Sequence, residues 1–174
     1  FTYGVGLGPM LPGGVPLGLP AFFLPLVVNA YVLVALGLGP RWSLARYRLP
    51  ATVAIVLAID LVLDPAAVAL GLWTYASPGA YYGVPLSNFA GWVLSATVAT
   101  ALLDIAVDSA TLRGRVRRCA FALDDLVSFV LLWGVVATVV GAWIPVGVAA
   151  GLGLTLAQLG RLDLAGDGLR VVRY

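Results

Sequence analysis

Residues 50–73 read PATVAIVLAIDLVLDPAAVALGLW, an apolar run in which the only charged side chains are Asp60 and Asp64. A run of this length can cross about 30 Å of hydrocarbon as one helix. A carboxylate inside a bilayer is costly, and it marks a functional site by default. Because residues four apart share a helix face, both carboxyls can point into one cavity. We therefore predict a membrane helix that carries a pair of catalytic aspartates.

The composition indicates the same class for the whole chain. Hydrophobic residues make up 61% of the 174 positions and charged residues 10%, whereas soluble domains carry roughly 25% charged residues. All the charges are arginine and aspartate, and there is no lysine, glutamate or histidine. We predict an all-α integral membrane protein that forms one membrane domain over residues 1–174. Its surroundings are then membrane lipids, and nucleic acid is not expected as a partner.

Five stretches are long enough to be spans of about 20 residues each. They lie near 15–38, 50–74, 88–111, 119–143 and 144–161. The last two are joined by a tight turn around Trp143–Ile144–Pro145, which indicates a helical hairpin. The chain begins at Phe1 without an initiator methionine, so we expect further helices upstream of it.

The arginines predict the orientation. They fall in three groups, which are Arg41, Arg46 and Arg48; Arg113, Arg115, Arg117 and Arg118; and Arg161, Arg170 and Arg173. An up-and-down path of five spans puts all three groups on one side, which the positive-inside rule makes cytoplasmic. We expect a multi-pass protein of the cell membrane with its loops at 40–49 and 112–118, and its C-terminal tail, in the cytoplasm. Phe1 and the 76–87 loop then face outward.

Other carboxylates have simpler interpretations. Asp104 and Asp108 repeat the four-residue spacing on the third span. Asp108 is expected to pair with the arginines at 113–118, while Asp104 lies deeper and is a candidate for the substrate cavity. Asp124 and Asp125 lie near the start of a helix, where negative charge is favourable.

Aromatic residues cluster just after the second span. They are Trp73, Tyr75, Tyr81, Tyr82, Phe89 and Trp92. An interfacial aromatic belt explains part of this density, and the rest indicates a folded-in loop suited to a flat, conjugated or isoprenoid ligand. Asn88 is either a helix cap or a group that orients water. Pro65 leaves the carbonyl near residue 61 without its usual donor.

Several kinds of site have no support in the sequence. Histidine is absent and Cys119 is the single cysteine, so a histidine-based metal site, a zinc cluster and an internal disulfide are not expected. A glycine-rich phosphate loop is also missing. Basic residues stay away from the predicted cavity. We expect neither a metal nor an organic cofactor.

The run DLVLDPAAVALGLWTYASPGAYYGVPLSNFAGW, residues 60–92, resembles the signature of the membrane carotenoid-biosynthesis family that contains the carotenoid hydratases. The segments FTY and LGPMLPGGVPLGLPAFF resemble the upstream block of that family. The resemblance implies addition of water to a terminal isopropylidene double bond of an acyclic carotenoid, which gives a tertiary alcohol. A C50 carotenoid of the bacterioruberin route is favoured over a C40 carotene. Other membrane enzymes of the pathway are then possible partners.

The residues are compatible with that chemistry. Hydrating an unactivated alkene needs a dry acid, which an aspartate kept protonated by desolvation can be. A second carboxylate can take the proton from the attacking water, and aromatic faces can shield the cation. The predicted catalytic residues are Asp60 and Asp64. The predicted substrate-binding residues are Trp73, Tyr81, Tyr82, Asn88, Trp92 and Asp104.

Three other functions remain open. A membrane prenyltransferase could hold magnesium and a diphosphate between D-x-x-x-D pairs, but it should also place arginine beside them, which is not expected here. A transporter could use Asp60 and Asp64 as a proton relay. A carotenoid-binding subunit without catalytic activity would look the same in sequence.

Overall fold

Helices make up most of the computed structural model, which describes residues 2–3, 6, 8–12 and 15–160. Within this part of the chain there are six α-helices: α1 (Gly18–Gly37), α2 (Ala45–Ala69), α3 (Leu86–Ala106), α4 (Ser109–Arg118), α5 (Asp124–Val139) and α6 (Trp143–Gln158). A short 3₁₀ helix, Gly39–Ser43, joins α1 to α2. The same described residues also form four two-residue strands: β1 (Thr2–Tyr3), β2 (Met10–Leu11), β3 (Val15–Pro16) and β4 (Trp73–Thr74). β1 pairs antiparallel with β4, and β2 with β3.

Three helices of the described chain are long and apolar enough to cross a membrane. Their apolar 18-residue stretches have mean hydropathies of 2.2 in α1, 2.0 in α2 and 1.6 in α3, which fits an integral membrane protein. α5 and α6 have 16 residues each, so each rises about 24 Å, less than the roughly 30 Å of hydrocarbon. The predicted count of five spans is therefore not confirmed.

The central helix α2 is shifted toward the N-terminus relative to the prediction. It begins at Ala45 rather than at residue 50, so Arg46 and Arg48 belong to the helix and not to a loop. It ends at Ala69 because Gly71 adopts a left-handed φ of 70°, and the N–H of Leu72 donates to the Ala67 carbonyl at 2.9 Å. This is the usual glycine-terminated helix end. Trp73 consequently lies in β4 and not in the span.

Helix α4 occupies a segment that the sequence interpretation treated as a loop at 112–118. The sequence predicts that Asp108 pairs with the arginines at 113–118. Instead, Asp108 caps α4, and its carboxylate accepts a hydrogen bond from the Thr111 N–H at 2.8 Å. Hydrogen bonds from Thr111 hold the pKa of Asp108 below its usual range. The bond from the Thr111 side chain has the larger effect and the bond from its backbone the smaller. α4 is amphipathic: Leu112 and Val116, four residues apart, pack against the core.

α5 and α6 form the predicted helical hairpin, with its turn slightly earlier than expected. The turn is at residues 140–142, where Gly141 has a φ of 73°, and α6 already begins at Trp143. Pro145 falls in the first turn, as predicted. The helices pack closely, because a Cβ added at Gly134 would lie 3.3 Å from the Ala149 Cβ.

The start of α5 carries the two adjacent aspartates in its first turn, as predicted. Asp125 also reaches α1, where it accepts from the Asn29 side-chain amide at 2.5 Å. This contact ties the hairpin to α1.

The described arginines gather at one end of the helix bundle, which we call the arginine end. There the Trp42 indole N–H donates to the Ser109 carbonyl at 2.7 Å, and Arg113 Nε donates to the Ala35 carbonyl at 3.1 Å. The segment 70–85, between α2 and α3, lies at the opposite end, which we call the loop end. Arg161, Arg170, Arg173 and the tail predicted to be cytoplasmic lie outside the described residues, as does Phe1.

Candidate active site

Asp60 and Asp64 lie on the inner face of α2, with 0% and 2% of their surface exposed. Facing them is Asn88, the third residue of α3. Its amide Nδ2 donates to Asp64 Oδ2 and lies 3.5 Å from Asp60 Oδ2. One amide therefore spans both carboxyls. Asn88 is not the helix cap that the sequence left open, since the residue before α3 is Pro85.

Two tyrosines from separate segments complete the surroundings of Asp64. The Tyr75 hydroxyl donates to Asp64 Oδ2 at 2.8 Å. Tyr3, on β1, pairs through its backbone with Trp73 on β4. Burial raises the pKa of both phenols, and the nearby Asp64 raises each further. Both hydroxyls therefore remain protonated.

Sequence reasoning did not assign Tyr3 or Tyr75 to the site. The sequence presents Tyr75 only as one of six clustered aromatic residues, because nothing local distinguishes a residue that folds back over the helix it follows. Tyr3 lies in the FTY segment that resembles the family's upstream block, and this was the one available signal for it.

The break at Pro65 has the consequence that the sequence predicts. Proline provides no N–H, so the Leu61 carbonyl is left free, and it accepts a hydrogen bond from the Tyr81 hydroxyl at 2.9 Å. Burial raises the pKa of Tyr81 to about 12. Tyr81 thereby attaches the loop end to α2 one turn from the carboxyls.

Tyr82 and Trp92 lie at the edges of this cluster. Tyr82 meets the Tyr81 ring edge-on at 5.2 Å, and its hydroxyl accepts from the Ile144 N–H at 3.3 Å, in the first turn of α6. Trp92 packs against Phe23 of α1 with ring centroids 5.2 Å apart. Tyr82 thus joins the loop end to α6 and Trp92 joins α3 to α1, and these contacts do not bring either side chain to the carboxyls.

Asp104 belongs to a different cluster, at the arginine end. Its Oδ1 accepts from Arg48 Nε at 2.7 Å and from the Tyr31 hydroxyl at 2.6 Å. Asp104 is 16 residues beyond Asn88 on α3, hence about 24 Å away along the helix. The expectation that no basic side chain lies beside the aspartate pairs is thus wrong for Asp104. The reason is the early start of α2, which places Arg48 on a helix face opposite α3.

The two carboxyls of the site have unequal environments. Asp64 receives hydrogen bonds from Tyr75 and Asn88, and such donors favour an ionised carboxylate. Asp60 has only the Asn88 amide, 3.5 Å from Oδ2, and its Oδ1 is buried with no hydrogen-bond partner among the described residues; burial with fewer donors favours the neutral acid. Two buried carboxyls with unequal numbers of hydrogen-bond donors therefore lie one helical turn apart. In the described chain no three His, Cys, Asp or Glu side chains are grouped as metal ligands.

Comparison with known proteins agrees with the resemblance. A family model described as carotenoid biosynthesis protein matches residues 1–156. The bisanhydrobacterioruberin hydratase of Haloarcula japonica is 56% identical over 163 residues, which are 94% of this chain and 55% of that protein. The chain thus spans about half the length of the curated relative it matches. No solved structure matches it significantly. The protein belongs to the family of carotenoid biosynthesis proteins.

Proposed function

We propose that this chain carries the acid–base centre of a carotenoid hydratase, which adds water to a terminal isopropylidene double bond of an acyclic carotenoid. The observation that supports this most directly is the buried pair Asp60 and Asp64, spanned by the Asn88 amide. The name of the 56% identical relative, a bisanhydrobacterioruberin hydratase, favours a C50 substrate of the bacterioruberin route.

The unequal environments of the two carboxyls suggest their roles. Asp60, as the neutral acid, gives its proton to the CH carbon of the double bond, so the cation forms at the carbon that bears two methyl groups. Water adds to that carbon, and Asp64 takes the proton that the water loses. The product is a tertiary alcohol, and proton transfer from Asp64 back to Asp60 restores the starting state. Asn88, in contact with both carboxyls, is placed to support that return.

The remaining aromatic residues suit the substrate. Trp73 and Tyr81 lie in the loop end beside the carboxyls, where ring faces can stabilise a passing cation, and Tyr82 packs edge-on against Tyr81. Because Asp60 and Asp64 are covered in this conformation, entry of the carotenoid end group requires the 73–85 segment to move. Lid motions of this kind commonly exclude water until the substrate is in place.

Isotope labelling tests the reaction. Membranes containing the whole protein are incubated with an acyclic carotenoid that ends in an isopropylidene group, in H₂¹⁸O. We expect a product heavier by one molecule of labelled water, with ¹⁸O in the new tertiary hydroxyl. A product that gains a five-carbon unit, or no product from a folded, membrane-inserted protein, would contradict the proposal.

A prenyltransferase is the second candidate, because Arg48 beside Asp104 places one arginine next to a carboxylate. These two side chains form an ion pair with each other, however, and they lie far from Asp60. For a hydratase without metal chemistry we expect the rate to survive EDTA. Loss of activity in EDTA with recovery on addition of Mg²⁺ would favour the prenyltransferase.

A further inference from the structure

The arginine end contains an open cleft of about 240 Å³ between the 3₁₀ helix and α4. Its walls include Trp42 and Ser43 on one side and Arg113 and Arg117 on the other. A neighbouring cavity of about 300 Å³ shares Arg117 and adds Arg118. Neither cavity touches the candidate active site, so their arginines have no part in the proposed reaction.

The cleft carries positive charge that the described residues do not neutralise. In the described chain the ion pair within 4.0 Å is Arg48–Asp104, and none of the arginines of α4 has a carboxylate partner there. Asp108, the acid nearest to Arg113 in sequence, is engaged as the cap of α4. Arg113 is held in place by its bond to the Ala35 carbonyl, which presents the rest of its guanidinium to the cleft. Oriented arginines of this kind are well suited to phosphate.

The position of the cleft indicates where that phosphate comes from. α1 ends at Gly37 and α3 ends at Ala106, so the cleft lies where both candidate spans leave the hydrocarbon. α4 packs Leu112 and Val116 against the protein core and leaves Arg115, Arg117 and Arg118 exposed at the level where lipid headgroups begin. Clustered arginines on such a helix attract anionic lipid.

We propose that this cleft binds the phosphate of an anionic phospholipid headgroup, with Arg113 and Arg117 as its ligands. This site is independent of the proposed hydratase activity. It gives α4 a role, since a bound headgroup joins the 3₁₀ helix to α4.

Thermal unfolding of the whole purified protein in a neutral detergent tests the proposal. The probes are dihexanoyl phosphatidylglycerol, dihexanoyl phosphatidylcholine and sn-glycerol 3-phosphate. A ligand that binds only the folded state raises the unfolding temperature as its concentration rises. We expect that increase with phosphatidylglycerol and much less with the other two. An equal shift with phosphatidylcholine, or with glycerol phosphate, would overturn the assignment to an anionic lipid.

Matched variants separate the cleft from general positive charge. Arg113→Gln with Arg117→Gln should weaken phosphatidylglycerol binding by about 25-fold, about fivefold for each arginine. Arg115→Gln removes the same charge from the same helix but touches neither cavity, and it should leave binding little changed. Should the double variant fail to fold, Arg117→Gln alone, at an exposed position, should still weaken binding about fivefold. An equal loss from Arg115→Gln would show diffuse attraction instead of a site.

Discussion

At the scale of single residues, the pair Asp60 and Asp64 illustrates how identical side chains acquire different properties. They are four positions apart on one helix, yet Asp64 receives the Tyr75 and Asn88 donors while Asp60 Oδ1 has none in the described chain. The difference comes entirely from the segments that fold over α2. A division of labour between acid and base therefore depends on the loop end as much as on the aspartates.

Replacing either aspartate by asparagine tests this division. Asp60→Asn and Asp64→Asn keep size and hydrogen bonding but can neither supply nor accept the proton. General acid–base groups contribute about 100- to 10,000-fold in rate, so each variant should accumulate the unhydrated carotenoid. The measurement is the ratio of hydroxylated to unhydrated pigment in membranes with equal amounts of inserted protein.

Asp108→Asn is the matched control for these variants. It removes a carboxylate too, but asparagine caps a helix as well as aspartate does, so the hydrogen bond from Thr111 is retained. Its product ratio should be near normal. Near-normal product from both site variants would mean that their carboxylates are structural.

At the scale of elements, α2 and α3 are joined near both ends. Asn88 contacts the carboxyls at the loop end, and the Arg48–Asp104 ion pair joins the helices at the arginine end. Both members of this pair are largely buried, with side chains 8% and 16% exposed. The register between the helices is therefore held by polar contacts, while apolar packing fills the space between them.

A double-mutant cycle measures the coupling at the arginine end. Arg48→Met or Asp104→Leu alone leaves a buried charge without its partner, which typically costs about 3–5 kcal/mol. The double variant should lose much less than the sum of the two, because an apolar pair leaves no unpaired charge. The free energies come from unfolding in a mild detergent. Additive losses would show that the two charges are not coupled.

The turn within the 73–85 segment depends on Gly79. Its N–H and carbonyl bond to Gly83 at 3.0 and 3.2 Å, and a Cβ at this position would overlap the Val84 carbonyl oxygen. Gly79→Ala should displace the segment, move Tyr75 and Tyr81 from their acceptors, and reduce hydration while the helices still insert. Ala80→Ser, which adds one atom at the exposed neighbouring position, is the control and should behave as wild type. Full activity of Gly79→Ala would argue against a role for the turn.

At the scale of the whole molecule, the arginine end and the loop end are expected on opposite sides of the membrane. The positive-inside rule places the arginine end in the cytoplasm. After Cys119→Ser, a cysteine at Ser77 should react with an impermeant thiol reagent added to the outside of intact cells, and one at Ser43 should not. Labelling is followed before and after lysis. The reverse pattern would invert the proposed orientation.

Sequence reasoning predicted those parts of the molecule that depend on local rules. Helical spacing predicted that Asp60 and Asp64 share one face, and the missing N–H of Pro65 predicted a free carbonyl near Leu61. The contacts it missed depend on how separate elements meet. Arg48 reaches Asp104 because of the starting point of α2 and its register against α3, and Tyr3 reaches the site through strand pairing. Neither can be derived from spacing along one segment.

Between Arg48 and Asp60, the inner face of α2 is almost entirely apolar. The buried side chains there include Thr52, Val53, Val56 and Ile59. The one hydroxyl among them, on Thr52, donates a hydrogen bond to the Arg48 carbonyl at 2.9 Å. The 12 residue steps from Arg48 to Asp60 rise about 18 Å, so an apolar layer of that length separates the arginine end from Asp60. If Asp60 is the proton donor of the proposed hydration, this apolar face favours entry of water from the loop end, and we expect hydration to respond to conditions on that side of the membrane.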